Sequence, residues 1–292
     1  MPDHRPRGYQ PAWRPRPRTV ELLVAVDVIL ARYAEQLPLS IRQVFYAAVS
    51  DGALPKTERA YKRLAEVLGM ARRADRIAWE AIRDDSGTCL SPPPAFAGPA
   101  DFRTQMRQAA ANFRLDRQEG QPARIEIFCE SAGMAPMLTR IAHPYGIDVR
   151  SGGGFNSLPE KRNTALRAAA DTRPLCLLHI GDLDPSGVWL PVALAEDVAA
   201  FAHAHGGRSE LVRVAVTEEQ VARYGLPSAP AKATDRRAFT PAGTTQAEAL
   251  PPDVLLDLVR RAIEERHDRA VFEAVLEREA AEREQLLMEL GE

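Results

Sequence analysis

The chain has 292 residues, 45% hydrophobic content and a formal net charge of −2. This length predicts one large or two medium domains with enough apolar mass for a sizeable core. A near-neutral total argues against a uniformly basic polyanion binder. No apolar run approaches the ~20 residues of a membrane span. The N-terminus has no apolar segment of the signal-peptide kind. Cys89, Cys129 and Cys176 show no metal or redox spacing, so a reducing cytoplasm is the default expectation.

The charge is unevenly placed. Residues 1–124 carry 20 Lys+Arg against 14 Asp+Glu, and the remainder carries 18 against 26. One half suited to gripping a polyanion is a common reason for such a split. An acidic, solvated C-terminal helix also contributes to it. Residues 1–18 hold five arginines among five prolines. They are expected to form a flexible basic arm, either lying on DNA phosphates or acting as an unstructured leader.

Residues 19–85 predict a compact, mostly helical unit. A first helix covers about residues 20–35. A second starts after Ser40, a good N-cap, with Ile41, Val44, Phe45, Ala48 and Val49 on one face. Tyr46 falls off that stripe, beside Arg42 one turn earlier. A third helix, about residues 57–73, buries Tyr61, Leu64, Val67, Leu68 and Ala71. It shows Lys56, Arg59, Lys62, Arg63, Arg72 and Arg73 on its other faces. ADRIAWEAIRDD then suits a short ribbon or wing. Helix, helix, basic helix, wing is the order of a winged-helix DNA-binding domain; a plain three-helix unit with a basic surface is the alternative.

Residues 86–120 are a Pro- and Gly-rich linker followed by a helix bearing Arg103, Arg107, Arg114 and Arg117. Residues 121–227 alternate strand-like runs (124–129, 147–150, 174–180, 210–216) with helical segments, which predicts an α/β fold with a largely parallel sheet. Ser157 with Glu160, and Thr217 with Gln220, have capping-box spacing. Residues 228–252 are loop-like. Two charged helices follow, broken near His267 and Asp268, as a helical tail to the end of the segment 228–292.

Two of the strand-like runs end in carboxylates: Glu130 after RIEIFC, and Asp182 and Asp184 in GDLDPSG. Strand ends in open α/β sheets are where ligands sit. Three carboxylates gathered there would form a hard oxygen site suited to Mg²⁺, with Mn²⁺ as an alternative. Each also has a plain structural role open to it. Asp184 before Pro185 serves as an N-cap, and Glu130 suits the start of a helix near Ala132. Lys161 and Arg162 are either phosphate contacts or a solvated face. His179 reads as a satisfied buried histidine.

The order Glu130, glycine-rich turn SGGGFNS, then Asp182 and Asp184 resembles a Toprim domain. With a winged-helix unit before it, the chain resembles the topoisomerase VI A subunit and the related meiotic double-strand-break protein. The resemblance runs through SIRQVFYAAVSDG, YKRL, ARRADRIAW and VTEEQVARYGLP, covering most of residues 38–227. PAKATDRRAF and EALPP look like the short Toprim proteins of actinobacteria and their phages. The resemblance implies that Tyr46 is a nucleophile, that Arg42 precedes it as a catalytic arginine, that Glu130 is a further catalytic carboxylate, and that Glu130, Asp182 and Asp184 hold Mg²⁺. It implies a type IIB topoisomerase-like, DNA-cleaving homodimer acting on double-stranded DNA, the tyrosine of one subunit meeting the metal site of the other. The chain departs from the family in having Ser131 where a lysine is common and Phe45 before the tyrosine. It contains no recognisable ATPase module, so strand passage requires a separate ATPase subunit.

The residue chemistry fits this role. A phenol has a pKa of about 10, so attack on a phosphodiester needs a base or a nearby cation. Two other functions remain compatible with the sequence: a Toprim nuclease using metal-activated water, and a non-catalytic DNA-binding protein of a mobile element.

Overall fold

The computed structural model describes residues 6–34, 37–83, 95–151, 157–230, 239–241 and 243–291. The SGGGFNS turn (apart from its end residues), the last two residues of the expected wing, most of the linker and most of PAKATDRRAF lie outside them. The chain divides into two units. One comprises Met1–Thr88, Gly153–Ala170 and Val192–Ser209; the other comprises Cys89–Gly152, Asp171–Pro191 and Glu210–Glu292. Among the described residues, no helix is long and apolar enough to cross a membrane.

The first unit is built on three helices. α1 (Pro17–Arg32) starts on Pro17 at its first turn, where a missing N–H costs nothing. It buries Leu22, Leu23, Val26 and Ile29. α2 (Ile41–Ser50) opens with a complete capping box between Ser40 and Gln43 and buries Val44, Phe45 and Ala48. α3 (Glu58–Arg73) is capped by Thr57 and buries Leu64, Val67, Leu68 and Ala71. These side chains form one core with Ile77 and Ile82. In the run expected to form a wing, a 3₁₀ turn (Trp79–Ala81) leads into β2 (Ile82–Arg83), which lies parallel to β1 (Leu39–Ser40).

Residues 7–13 are not the free arm that their composition suggests. Gly8 N–H donates to Asp197 Oδ1 at 3.1 Å, and Gln10 N–H donates to the Arg73 carbonyl at 2.5 Å. The Tyr9 ring packs edge-on against Phe201, 4.9 Å between centroids. Gly8 has φ +58°, and a Cβ there would stand 2.7 Å from the Ala200 Cβ, so only glycine fits. Tertiary contacts supply the apolar burial that this polar stretch lacks by itself.

The second unit holds a four-stranded sheet. In spatial order it runs β4 (Asp148–Ser151), β3 (Arg124–Cys129), β5 (Leu175–Ile180), β6 (Ser209–Ala215). β3 is parallel to both β4 and β5. All six residues of β5 are buried, as expected of a strand covered on both faces. α4 (Pro99–Ala111), α5 (Ala135–Ala142), α8 (Glu218–Tyr224), α9 (Pro252–Glu264) and α10 (Arg269–Glu289) complete this unit. The C-terminal helices belong to its body: Phe272 stacks on Tyr145, and Glu279 pairs with Arg117 at 2.6 Å. α6 (Leu158–Ala169) lies in the first unit, and α7 (Pro185–Ala204) is shared between the two units at Pro191.

From β3 the chain moves outward to β4. From β5 it moves outward the other way, to β6. The strand order therefore reverses between β3 and β5, and the carboxyl ends of these two strands form a topological switch point. Glu130 follows one of them directly, and Gly181-Asp182 follows the other.

Candidate functional site

At the switch point, the Glu130 N–H still pairs with the Ile180 carbonyl at 3.0 Å. Its side chain turns toward β5. His179 Nε2 lies 3.2 Å from Glu130 Oε1, and the Asp182 N–H points at Oε2 at 3.4 Å. Burial pushes the His179 pKa down, opposed by the Glu130 carboxylate. The neutral ring then carries its proton on Nε2 and donates to Glu130. Among the described residues Nδ1 is buried without a partner, so the satisfied histidine expected from the sequence is satisfied on one side only.

The GDLDPSG loop is shaped by close approach. A Cβ on Gly181 would sit 2.5 Å from Glu130 Cδ, and one on Gly187 would sit 2.2 Å from the Asp182 carbonyl. Any side chain at either position would displace the carboxylates. Asp182 Oδ1 accepts the Ala247 N–H at 2.8 Å, and Asp184 Oδ1 accepts the Gly187 N–H at 2.6 Å. Asp184 therefore caps the first turn of α7, as a residue before Pro185 is suited to do.

Two charged residues that sequence reasoning passed over complete this end of the sheet. Arg213 on β6 donates to the carbonyls of Gly181, Asp182, Gly187 and Val216 at 2.6–3.2 Å. It staples the loop and sets a partly buried positive charge near Glu130, Asp182 and Asp184. Burial lowers its pKa, and those three carboxylates oppose the shift. Glu248 accepts the Ser131 hydroxyl at 2.6 Å. The Asp182 pKa is raised, first by burial and then by the charges of Glu130, Asp184 and Glu248, against the Ala247 N–H. An arginine amid the apolar VRVAV run was the one available signal for Arg213; Glu248 had none.

The donors are hard oxygens, which is the chemistry Mg²⁺ takes, commonly through one or two carboxylates plus substrate phosphate. The structure draws Glu130 and Asp182 together and commits one Asp184 oxygen to the helix cap. Among the described residues no group of three or more His, Cys, Asp or Glu side chains forms a metal-holding cluster.

In the first unit, Tyr46 projects from α2 with 49% of its surface exposed. Phe45 beside it is buried and packs edge-on against Tyr61, 5.4 Å between centroids. Arg42, Tyr46, Lys56, Thr57 and Tyr61 line a concave pocket of about 310 Å³. Lys56 Nζ stands 5.8 Å from the Tyr46 ring centroid. Arg59, Lys62 and Arg63 are exposed on α3 and line a shallow groove with Glu58 and Glu66.

Four of the residues expected to contact DNA make contacts within the protein. Arg72 is buried and donates to the carbonyls of Trp79 and Ile82. Arg73 is buried against Asp197 at 2.8 Å, and Lys161 reaches the same carboxylate at 3.1 Å. The Arg162 guanidinium lies 4.7 Å over the Trp79 ring and donates to the Tyr9 hydroxyl. Helical periodicity placed Arg72 and Arg73 off the apolar stripe, but distant parts of the chain, before and after α3, cover that side.

Cys129 and Cys176 are buried free thiols, and burial pushes their pKa values up to about 11 and about 12. Their thiolates are disfavoured, which fits packing rather than nucleophilic work. No family model matches the chain, and a search of curated proteins finds no match either.

Proposed function

We propose that the protein binds double-stranded DNA and breaks it by transesterification, with Tyr46 becoming joined to a 5′ phosphate, in the manner of the topoisomerase VI A subunit. The observation that carries this reading is the exposed Tyr46 in a pocket with Arg42 and Lys56, on a unit whose α3 shows Arg59, Lys62 and Arg63 to solvent. The Tyr46 oxygen attacks phosphorus, the bond from phosphorus to the 3′ oxygen breaks, and the phenol proton is passed on to that leaving oxygen through solvent. Arg42 pairs with the phosphate and offsets its charge in the transition state. Glu130, Asp182 and Asp184 would hold Mg²⁺, which when bound supplies charge stabilisation at the leaving oxygen. Arg213 keeps their loop in place, and His179 orients Glu130. The chain works as a homodimer, the tyrosine of one copy serving the carboxylates of the other, and strand passage falls to a separate ATPase subunit.

The test is incubation with supercoiled plasmid and Mg²⁺ or Mn²⁺, stopped with detergent. DNA-linked protein that disappears in Tyr46→Phe is expected. Metal-dependent nicking that survives Tyr46→Phe would replace this reading with a Toprim nuclease. Binding without any cleavage would leave a non-catalytic DNA-binding protein.

A further inference from the structure

We infer that the pocket between α2 and the start of α3 is a clamp for a terminal or scissile phosphate, with Lys56 as its second cation. This deepens the proposed function and depends on it only for the identity of the polymer. Arg42 and Lys56 line the same concavity as Tyr46. Among the described residues neither is joined to a carboxylate. Glu58 is the one acidic residue of the lining, and its carboxylate is taken by Lys62 at 2.7 Å. Thr57, also in the lining, caps α3, so the positive end of a 16-residue helix adds to the field of the two side chains. Tyr46 and Tyr61 supply ring faces on which the nucleotide next to the phosphate can stack. Two cations with no carboxylate partner among the described residues, aromatic walls and a volume of about 310 Å³ match a phosphate with its adjoining sugar and base.

Lys56 lies just before α3, outside the helix that carries Tyr46, so the tyrosine segment alone does not announce it. Its ammonium makes a point contact, while the Arg42 fork pairs with two oxygens.

The experiment compares binding of one single-stranded oligonucleotide carrying either a 5′ phosphate or a 5′ hydroxyl, at low salt. The parent protein should prefer the phosphorylated form by about tenfold, the usual worth of a charge-assisted contact. Lys56→Met should lose most of that preference and Lys56→Arg should restore it. Arg59→Ala should weaken both oligonucleotides alike, which separates a local clamp from general attraction to an extra charge. Equal affinity of the parent for both oligonucleotides, or a preference that survives Lys56→Met, overturns the clamp. The two readings fail separately: a retained preference without any covalent adduct refutes breakage and keeps the clamp, and an adduct without the preference does the reverse.

Discussion

Arg73 and Asp197 are held together by two hydrogen bonds of 2.8 and 3.0 Å, with 9% and 2% of their side chains exposed. They lie 124 positions apart in sequence. Burial alone would raise the Asp197 pKa, but Arg73 and Lys161 outweigh it and hold the carboxyl below its ordinary value. Removing one partner of a buried pair strands the other charge. Asp197→Asn is therefore expected to cost about 3–5 kcal/mol, read by urea denaturation. Little change in stability would mean that the pair is not a structural anchor.

DNA binding should be carried by the exposed side of α3. Replacing Arg59, Lys62 and Arg63 by alanine should reduce the salt slope of duplex binding by about 2–3, since each phosphate contact contributes roughly 0.9. Melting should be little altered, because all three are exposed. An unchanged slope would move the DNA surface elsewhere.

Assembly can be read by complementation. If one copy's tyrosine serves the other copy's carboxylates, mixing Tyr46→Phe with Asp182→Asn should recover part of the cleavage in heterodimers. Light scattering establishes that dimers are present. Dimers without recovery would rule out the shared arrangement.

Asp182 is disfavoured as a charge by burial and by its acidic neighbours. Asp182→Asn should thus raise the melting temperature in the absence of metal. Mg²⁺ should raise that of the parent by mass action and leave the variant unmoved. Asp184→Asn should keep its cap, because Asn caps about as well as Asp. Identical melts with and without Mg²⁺, even with DNA present, would remove the metal from the proposal.

Acid stability should depend on Glu279. Hydrogen bonding to Arg117 takes its pKa down to about 2, helped by the Leu115 N–H and Arg283 and opposed by burial. A depressed carboxylate stabilises the fold above its unfolded pKa of about 4.3, and that share is lost as pH falls through the folded value. Melting temperature should therefore fall between about pH 4 and pH 2, less steeply in Glu279→Gln. Parallel curves for the two proteins would deny Glu279 this role.

Local rules were enough for the elements. Apolar runs located the strands of the four-stranded sheet within a residue or so, because β3 and β5 are buried runs whose composition admits little else. Ser40, Ser157 and Thr217 marked helix starts because a capping oxygen acts only on N–H groups two or three residues away. Tyr46 and Arg42 could be placed on the exposed side of α2 by helical spacing alone. What the tertiary structure decided were the fates of charges. Arg72, Arg73, Lys161 and Arg162 share the composition of Arg59, Lys62 and Arg63, yet they are tied to Trp79, Ile82, Asp197 and Tyr9. Residues 7–13 are anchored by the same neighbours. Arg213 stands under the GDLDPSG loop because β6 pairs beside β5. A charge is paid for or left free by whatever the fold brings against it, often more than a hundred residues away, and no periodicity within a helix or strand carries that information.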